Sequence, residues 1–532
     1  MMGWYASSLS LEKSPILIYR PIRRLVGGLP ILALSGGLLA PTFAAPPTLD
    51  ALIPSGGRKG TAMASLSISG KTDPWPPQVW CSNPDVKIEA LEEKGRFAFS
   101  IDSKAEPGPC WVRLFNEEGA SEPRIFVVGS LPETVEDSGQ GNDGFAEAIP
   151  VETLPVVING RLEKSQDVDA WKVALRKGQS FHARLDGYSL RSGIDPFLHL
   201  YDPDGIRLAL GNDNPRNLDP RLFHQAEKDG DYVVAVMAIA TPPNANVFFH
   251  GGGTAAWRLT LSTDAADLPS DAVSEVPTED SLGIEGETPK PLSLPINGFG
   301  TLLPNDNGKT DRVLFSARKD QSLRLEVSVL DHGFPTDPVL KLRKEDGTLI
   351  REVDDRKSDR NAEYLYKIPA DGNYLVEVSD RFGRAGENLR YQLEIGEEQP
   401  DFQVVADQSK YVLEPDGKAT IKLTVTRFGG HELPLKVEVV GLPDATNGGP
   451  LTLDGKAKTG DLPLEAAPDA SPVSGPIQIR VTEESGEGKN AKTLLVPFSF
   501  QGSDARGPYL LDEIEHLWLT VKPKSKDDDK KN

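Results

Sequence analysis

The first residues to test for chemistry are the seven histidines, because a neutral imidazole supplies most general bases and many metal ligands. They do not gather in the sequence. His182, His199 and His224 are matched by Arg324, Lys341 and Tyr366 in a second copy of the same stretch, described below. His250 stands beside Gly251-Gly252-Gly253, and His332, His431 and His516 are isolated. Neither an HExxH motif nor a GxSxG nucleophile elbow occurs. Ser69-Gly70-Lys71-Thr72 lacks the glycine that a phosphate loop needs at position 65, where Ser65 stands. No catalytic residue is assigned and the chain is read as not an enzyme; the alternative is a hydrolase whose site follows no recognised pattern.

Oxygen donors are the second possibility. Asp202, Asp204, Asn212 and Asp213 surround an expected hairpin, and Asp346, Asp354 and Asp355 recur in the second copy. Calcium takes several carboxylate and carbonyl oxygens from such turns. Asp-Gly and Asn-Asp are equally ordinary turn residues, and the spacing is not that of an EF-hand. Both readings stand, with calcium the one cofactor to consider. Cys81 and Cys110 are the only cysteines, with no His or CxxC spacing nearby to make them a metal pair. They are read as a disulfide.

The elements that must position these residues are short strands. Hydrophobic residues make up 38% of the chain, with 50 Gly and 44 Pro and no long helical pattern. At roughly 100–150 residues per domain, 532 residues give about four domains. The fold class expected is all-β, as tandem β-sandwiches.

Residues 1–45 read as a signal peptide: Arg20, Arg23 and Arg24 precede an apolar run from Leu25 to Ala40, and Thr42-Phe43-Ala44-Ala45 suits cleavage. Gly27, Gly28, Pro30, Gly36 and Gly37 interrupt the run and argue against a retained anchor. Export implies a secreted, periplasmic or cell-surface protein with no membrane span after cleavage. Residues 1–44 hold four basic residues and one acidic, so their loss takes the formal charge from −21 to −24. Such a charge repels phosphate backbones and excludes nucleic acid as the natural partner.

Alternating runs over residues 46–130, such as Arg96-Phe97-Ala98-Phe99-Ser100-Ile101, predict an immunoglobulin-like sandwich, with Trp80 and Trp111 in the core or against the disulfide. Trp75, in a Pro-flanked loop, is a core residue or a binding platform. The acidic, Gly-rich residues 131–146 and 264–290 read as linkers. Between and beyond them, two stretches align with a constant offset of 142: Asp169 with Asp311, Lys177 with Lys319, Asp195-Pro196 with Asp337-Pro338, Asp204-Gly205 with Asp346-Gly347, and Asp229-Gly230 with Asp371-Gly372. Asn159-Gly160 recurs as Asn297-Gly298, shifted by four. Residues 147–263 and 291–397 are thus copies of one module, expected to form jelly-roll sandwiches with tight Asp-Gly hairpins. Residues 398–521 read as a second immunoglobulin-like domain and 522–532 as a solvated tail.

The ordered set Asn159-Gly160, Asp169 to Val173, Lys177 to Gln179, Asp195 to Leu200, Asp202 to Gly205, Asn212-Asp213 and Asp229 to Tyr232 resembles the bacterial pre-peptidase C-terminal domain. The second copy departs in having Val313 for Trp171 and Asp320 for Gly178. The resemblance implies a β-sandwich appendage of an exported protein, accessory rather than proteolytic. The function expected is that of a non-enzymatic accessory protein recognising an extracellular or envelope protein or polysaccharide, with a structural spacer as the alternative.

Overall fold

The computed structural model describes residues 45–532 except 138, 140, 215–216, 242–247, 269–281, 283–289, 305–308, 330–331, 333, 357–359, 485–490, 505–506 and 525–532. The signal peptide expected over residues 1–45, apart from Ala45, and most of the expected tail therefore lie outside the described residues. Among those residues, eight sheets pair into four sandwiches and no helix is long and apolar enough to cross a membrane.

The first sandwich is built from β1 (Ala51–Ile53), β2 (Gly56–Arg58), β3 (Ala62–Ser69), β4 (Gln78–Cys81), β5 (Val86–Ala90), β6 (Arg96–Ile101), β7 (Gly108–Asn116), β8 (Gly119–Ala120) and β9 (Arg124–Gly129). Its sheets run β1-β3-β6-β5 and β2-β9-β7-β4, with β2 parallel to β9. This is the immunoglobulin order. Alternation along β6 points Phe97, Phe99 and Ile101 into the core.

The second sandwich comprises β10 (Glu133–Val135), β11 (Ile149–Pro150), β12 (Val156–Arg161), β13 (Asp169–Leu175), β14 (Ser180–Asp186), β15 (Ile194–Tyr201), β16 (Arg207–Gly211), β17 (Arg221–Gln225), β18 (Gly230–Ala240) and β19 (Ala256–Ser262). Its sheets are β10-β12-β19-β14-β17 and β11-β13-β18-β15-β16. The chain swaps sheets at almost every step, as in a jelly roll. The third sandwich repeats this order with β20 (Ile296–Thr301), β21 (Thr310–Ala317), β22 (Ser322–Ser328), β23 (Pro338–Lys344), β24 (Leu349–Val353), β25 (Ala362–Lys367), β26 (Gly372–Asp380) and β27 (Arg390–Glu397), as β20-β27-β22-β25 over β21-β26-β23-β24.

The repeat is therefore structural, and its turns explain the shared residues. Asp204-Gly205 and Asp346-Gly347 close the hairpins β15–β16 and β23–β24, with the glycines at φ 81° and 86°. Asp320 takes φ 67° where Gly178 takes 82°, so the substitution keeps the left-handed turn. Asp229-Gly230 and Asp371-Gly372 are not hairpins. β17 and β18 lie in opposite sheets, and Asp229 Oδ1 and Asp371 Oδ1 instead accept from Lys177 N and Lys319 N, each at 2.7 Å, locking the crossover. Gly160 pairs with Trp257, and its structural counterpart is Gly300, paired with Tyr391, rather than Gly298.

Residues 131–146 are not a free linker. β10 adds in parallel to β12, held because Glu133 carboxylate oxygens accept from Arg258 Nη1 and Nη2, each at 2.9 Å. The linker expected over 264–290 falls mostly outside the described residues, but Leu282 is buried in the core of the third sandwich.

The last sandwich is formed by β28 (Asp401–Ala406), β29 (Lys410–Leu413), β30 (Lys418–Phe428), β31 (Leu435–Val440), β32 (Thr446–Asn447), β33 (Leu451–Leu453), β34 (Thr459–Ala466), β35 (Val473–Glu483), β36 (Thr493–Leu495), β37 (Phe498–Asp504), β38 (Gly507–Ile514) and β39 (Leu517–Val521). Its sheets, β32-β34-β30-β28-β37-β38 and β29-β39-β35-β31-β33, keep the immunoglobulin order, with the hairpin β37–β38 inserted before the final strand.

Candidate functional site

The four residues proposed as calcium ligands are not gathered by the fold. Asp202 Oδ1 accepts from Asp204 N and Ile206 N at 2.9 Å, which shapes the hairpin turn. Lys228 Nζ lies 2.9 Å from Asp202 Oδ2 and also pairs with Asp204, supplying the positive charge that a cation would bring. Asn212 and Asp213 are exposed on the far side of the hairpin strand, where the Asp213 charge faces Asp195. In the second copy Asp354 and Asp355 pair with Arg381, while Asp346 Oδ1 accepts from Thr348 N. Turn chemistry accounts for these carboxylates. Among the described residues no group of three or more His, Cys, Asp or Glu is placed to hold a metal ion.

Cys81 on β4 and Cys110 on β7 sit on adjacent strands of one sheet, with free thiols and Sγ atoms 3.4 Å apart. A bond between them would staple neighbouring strands rather than the two sheets. Trp75 belongs to the edge of the first core, its ring 5.2 Å from Phe97 and its Nε1 donating to Leu91 O. Trp80 and Trp111 do not enter that core. Alternation on β4 and β7 turns them outward, and they meet residues about 400 positions later.

That meeting joins the end sandwiches. The Trp80 ring lies 5.7 Å from Trp518 and 5.4 Å from His516, and Phe115 lies 5.0 Å from Trp518. Fully buried Arg113 donates to Ser121 O at 2.7 Å and to Ser409 O at 3.4 Å across the joint, and Lys410 pairs with Glu122 at 2.7 Å. The second sandwich reaches the same place through Arg191, whose guanidinium lies 3.9 Å over the Phe500 ring. Arg191 holds φ 60°, an uncommon left-handed backbone for a non-glycine residue. A cleft of about 370 Å³ opens there, lined by Glu122, Arg191, Ser409, Lys410, Phe498 and Phe500 among others. Burial lowers both Arg113 and Arg191 to about 10, with repulsion from Arg124 adding to the effect at Arg191.

A second polar concentration lies under β10. Asp167, Asp169 and Asn142 are buried beside Glu136, around a cavity of about 80 Å³. Desolvation raises Asp169 to about 9 and Glu136 to about 7, and the Glu136 and Asp167 charges push Asp169 further the same way. At neutral pH Asp169 therefore carries a proton and serves as a structural partner of Trp257, whose Nε1 donates to its Oδ2 at 2.9 Å. The signals in the sequence for this cluster were Asp169, shared by both copies, and the acidic 131–146 run read as a linker.

No protein-family model matches the chain, and no curated protein sequence matches it. Among solved structures it is similar to the M60 catalytic domain with its CBM51 domains from Clostridium perfringens ZmpB, at 8% identity over 63% of this chain and 55% of that one, with a TM-score of 0.15. It is also similar to the fibronectin(III)-like modules of Clostridium thermocellum CbhA, at 13% identity over 35% of this chain and 93% of that one, TM-score 0.13. A third similar structure is the ICAM-5 D1–D4 ectodomain fragment, at 12% identity over 85% of this chain and 98% of that one, TM-score 0.12. The chain spans about half the length of the Clostridium perfringens structure.

Proposed function

We propose that this protein is a non-enzymatic binding scaffold of the bacterial exterior or envelope, whose sandwiches present surfaces to an extracellular protein or polysaccharide. The observation that carries this reading is the aromatic joint of Trp80, Phe115 and Trp518, which closes the first sandwich onto the last. A spacer sets reach through independent modules joined by linkers. Here the end modules share buried aromatic and guanidinium contacts, so the outward faces are held in fixed relation, which suits a display role. The resemblance of the two jelly rolls to the pre-peptidase C-terminal domain supports an accessory part beside a separate enzyme. The test is saturable retention of an envelope protein or polysaccharide by the full chain, alongside peptide and glycoside hydrolysis assays. Retention without turnover is expected; turnover by the purified chain, or retention of neither ligand class, overturns the proposal.

A further inference from the structure

The two jelly rolls can be compared position by position, because their outer strands keep the same register. One row across β13, β18, β15 and β16 is Ala170–Ala235–His199–Leu210. The corresponding row of the second copy, 142 residues later at every position, is Arg312–Glu377–Lys341–Glu352. There this row is an alternating charge ladder, with Glu377 pairing to Arg312 at 3.1 Å and to Arg343, from the neighbouring row, at 2.7 Å, and Lys341 to Glu352 at 3.1 Å. That is how a solvated sheet face is built. In the first copy the same backbone carries no charge in this row.

What replaces the ladder is a run of rings. Phe197, His199 and Tyr201 take the places of Val339, Lys341 and Arg343, and Phe145 and Phe249 extend them at either end. Successive centroids along Phe145–Tyr201–His199–Phe197–Phe249 are 6.1, 5.9, 5.6 and 5.5 Å apart. Burial and the nearby Arg207 charge lower the pKa of His199, favouring the neutral ring, and its Nδ1 lies 3.1 Å from Tyr201 Oη. The run is flanked by apolar surface: Phe248 is 55% exposed, Leu210 57% and Ile239 41%. Beneath the run lies a buried cluster of Ala148, Ala170, Val233, Ala235 and Met237, on which Phe197, Tyr201 and Phe249 pack, whereas the second copy builds the same sheet with charged side chains in the row through Lys341.

We infer that the aromatic run on the outer face of the first jelly roll binds a neutral polysaccharide chain, a reading that rests on the binding role proposed above. Sugar rings offer C–H faces to aromatic rings and hydroxyls to His199 and Tyr201. Lys172 and Arg207 stand at the two edges of the row through Tyr201 and Asp195 beside Phe197, so the margin of the run carries both signs rather than a cluster of cations, and in a chain of formal charge −21 this disfavours uronate, sulfate or phosphate polymers. Five residues of strand at about 3.3 Å each give a ridge of about 15 Å, one or two strands wide. At strand spacings of about 5 Å this covers roughly 75–150 Å², well short of the roughly 800 Å² per partner of a stable protein interface, but it fits one extended glycan.

The test is affinity electrophoresis of the full chain through gels containing hydroxyethylcellulose, galactomannan, arabinoxylan or laminarin, with alginate as the anionic comparison. The variant combines Phe197→Val, His199→Lys and Tyr201→Arg, the residues that the second copy carries on the same backbone. Retardation by at least one neutral polymer is expected, with a loss of tenfold or more in affinity for the variant at a temperature where circular dichroism shows it folded, and a smaller loss for the single change His199→Lys. Equal retardation of variant and wild type places the glycan elsewhere, overturning this site while leaving the binding role intact. Retardation by alginate alone, or by no polymer, overturns the inference, as does a wild-type chain that retains only an envelope protein.

Discussion

Trp257 Nε1 donates to Asp169 Oδ2 at 2.9 Å in the core of the first jelly roll, and Tyr391 Oη donates to Asp311 Oδ2 at the same 2.9 Å in the second. The module thus buries one carboxyl against one aromatic donor, and the identity of the ring is free to change. The shared aspartate is a fold residue.

Stability should fall with rising pH through this site. Asp169 is raised to about 9 chiefly by desolvation, so the folded chain keeps a proton that the unfolded chain loses near pH 4. The unfolded state then binds fewer protons across that window, and unfolding becomes easier as pH rises. Thermal melts between pH 5.5 and 8.5 should show the decline, and Asp169→Asn, which keeps an acceptor for Trp257, should remove most of it above about pH 7, the slope below being shared with Glu136. An equal slope in the variant would show that Asp169 ionises normally.

The glycine opposite each ring is a second shared requirement. A Cβ at Gly160 would lie 2.2 Å from Trp257 Cζ2, and one at Gly300 2.5 Å from Tyr391 Cζ. Gly160→Ala and Gly300→Ala should each cost about 1–3 kcal/mol by overpacking. Denaturant melts will measure this, and a loss below about 0.5 kcal/mol, the usual range for surface changes, would mean that the rings move aside easily.

The joint between end sandwiches predicts a change of shape without loss of fold. Trp80 is only part-buried and contributes to the joint rather than to the first core. Trp80→Ala should increase the radius of gyration in small-angle scattering while circular dichroism stays that of the wild type. An unchanged scattering profile would mean that Arg113 and Lys410 suffice to hold the joint.

The adjacent thiols predict a redox effect confined to the first sandwich. The hydrogen bond with Cys110 lowers the Cys81 pKa and favours the attacking thiolate. Under oxidising conditions the pair should close, with mass spectrometry reading the loss of two hydrogens. On the chain-entropy model, a loop of about 30 residues adds roughly 3–4 kcal/mol. Dithiothreitol should then lower the melting temperature of the wild type and leave Cys81→Ser unaffected; no response in the wild type would exclude the bond.

The sequence by itself determined the all-β class, the two registered copies and the turns that bind them, because alternation, Asp-Gly pairs and a constant offset are local patterns. It also marked Asp169 as shared. What the tertiary structure decided was every relation between distant residues. Period-two alternation on β4 gives Trp80 a face but not a neighbour, so a core position was expected where a joint with Trp518 exists. Acidic residues 131–146 look like solvent-facing linker until Arg258, on a strand about 125 residues later, meets Glu133. Asp202 and Asp204 look like ligands until Lys228 folds onto them. The contrast between His199 and Lys341 was legible as a mismatch in the repeat. Only strand pairing turned it into two opposite faces, because a row across a sheet is assembled from segments that the sequence keeps apart.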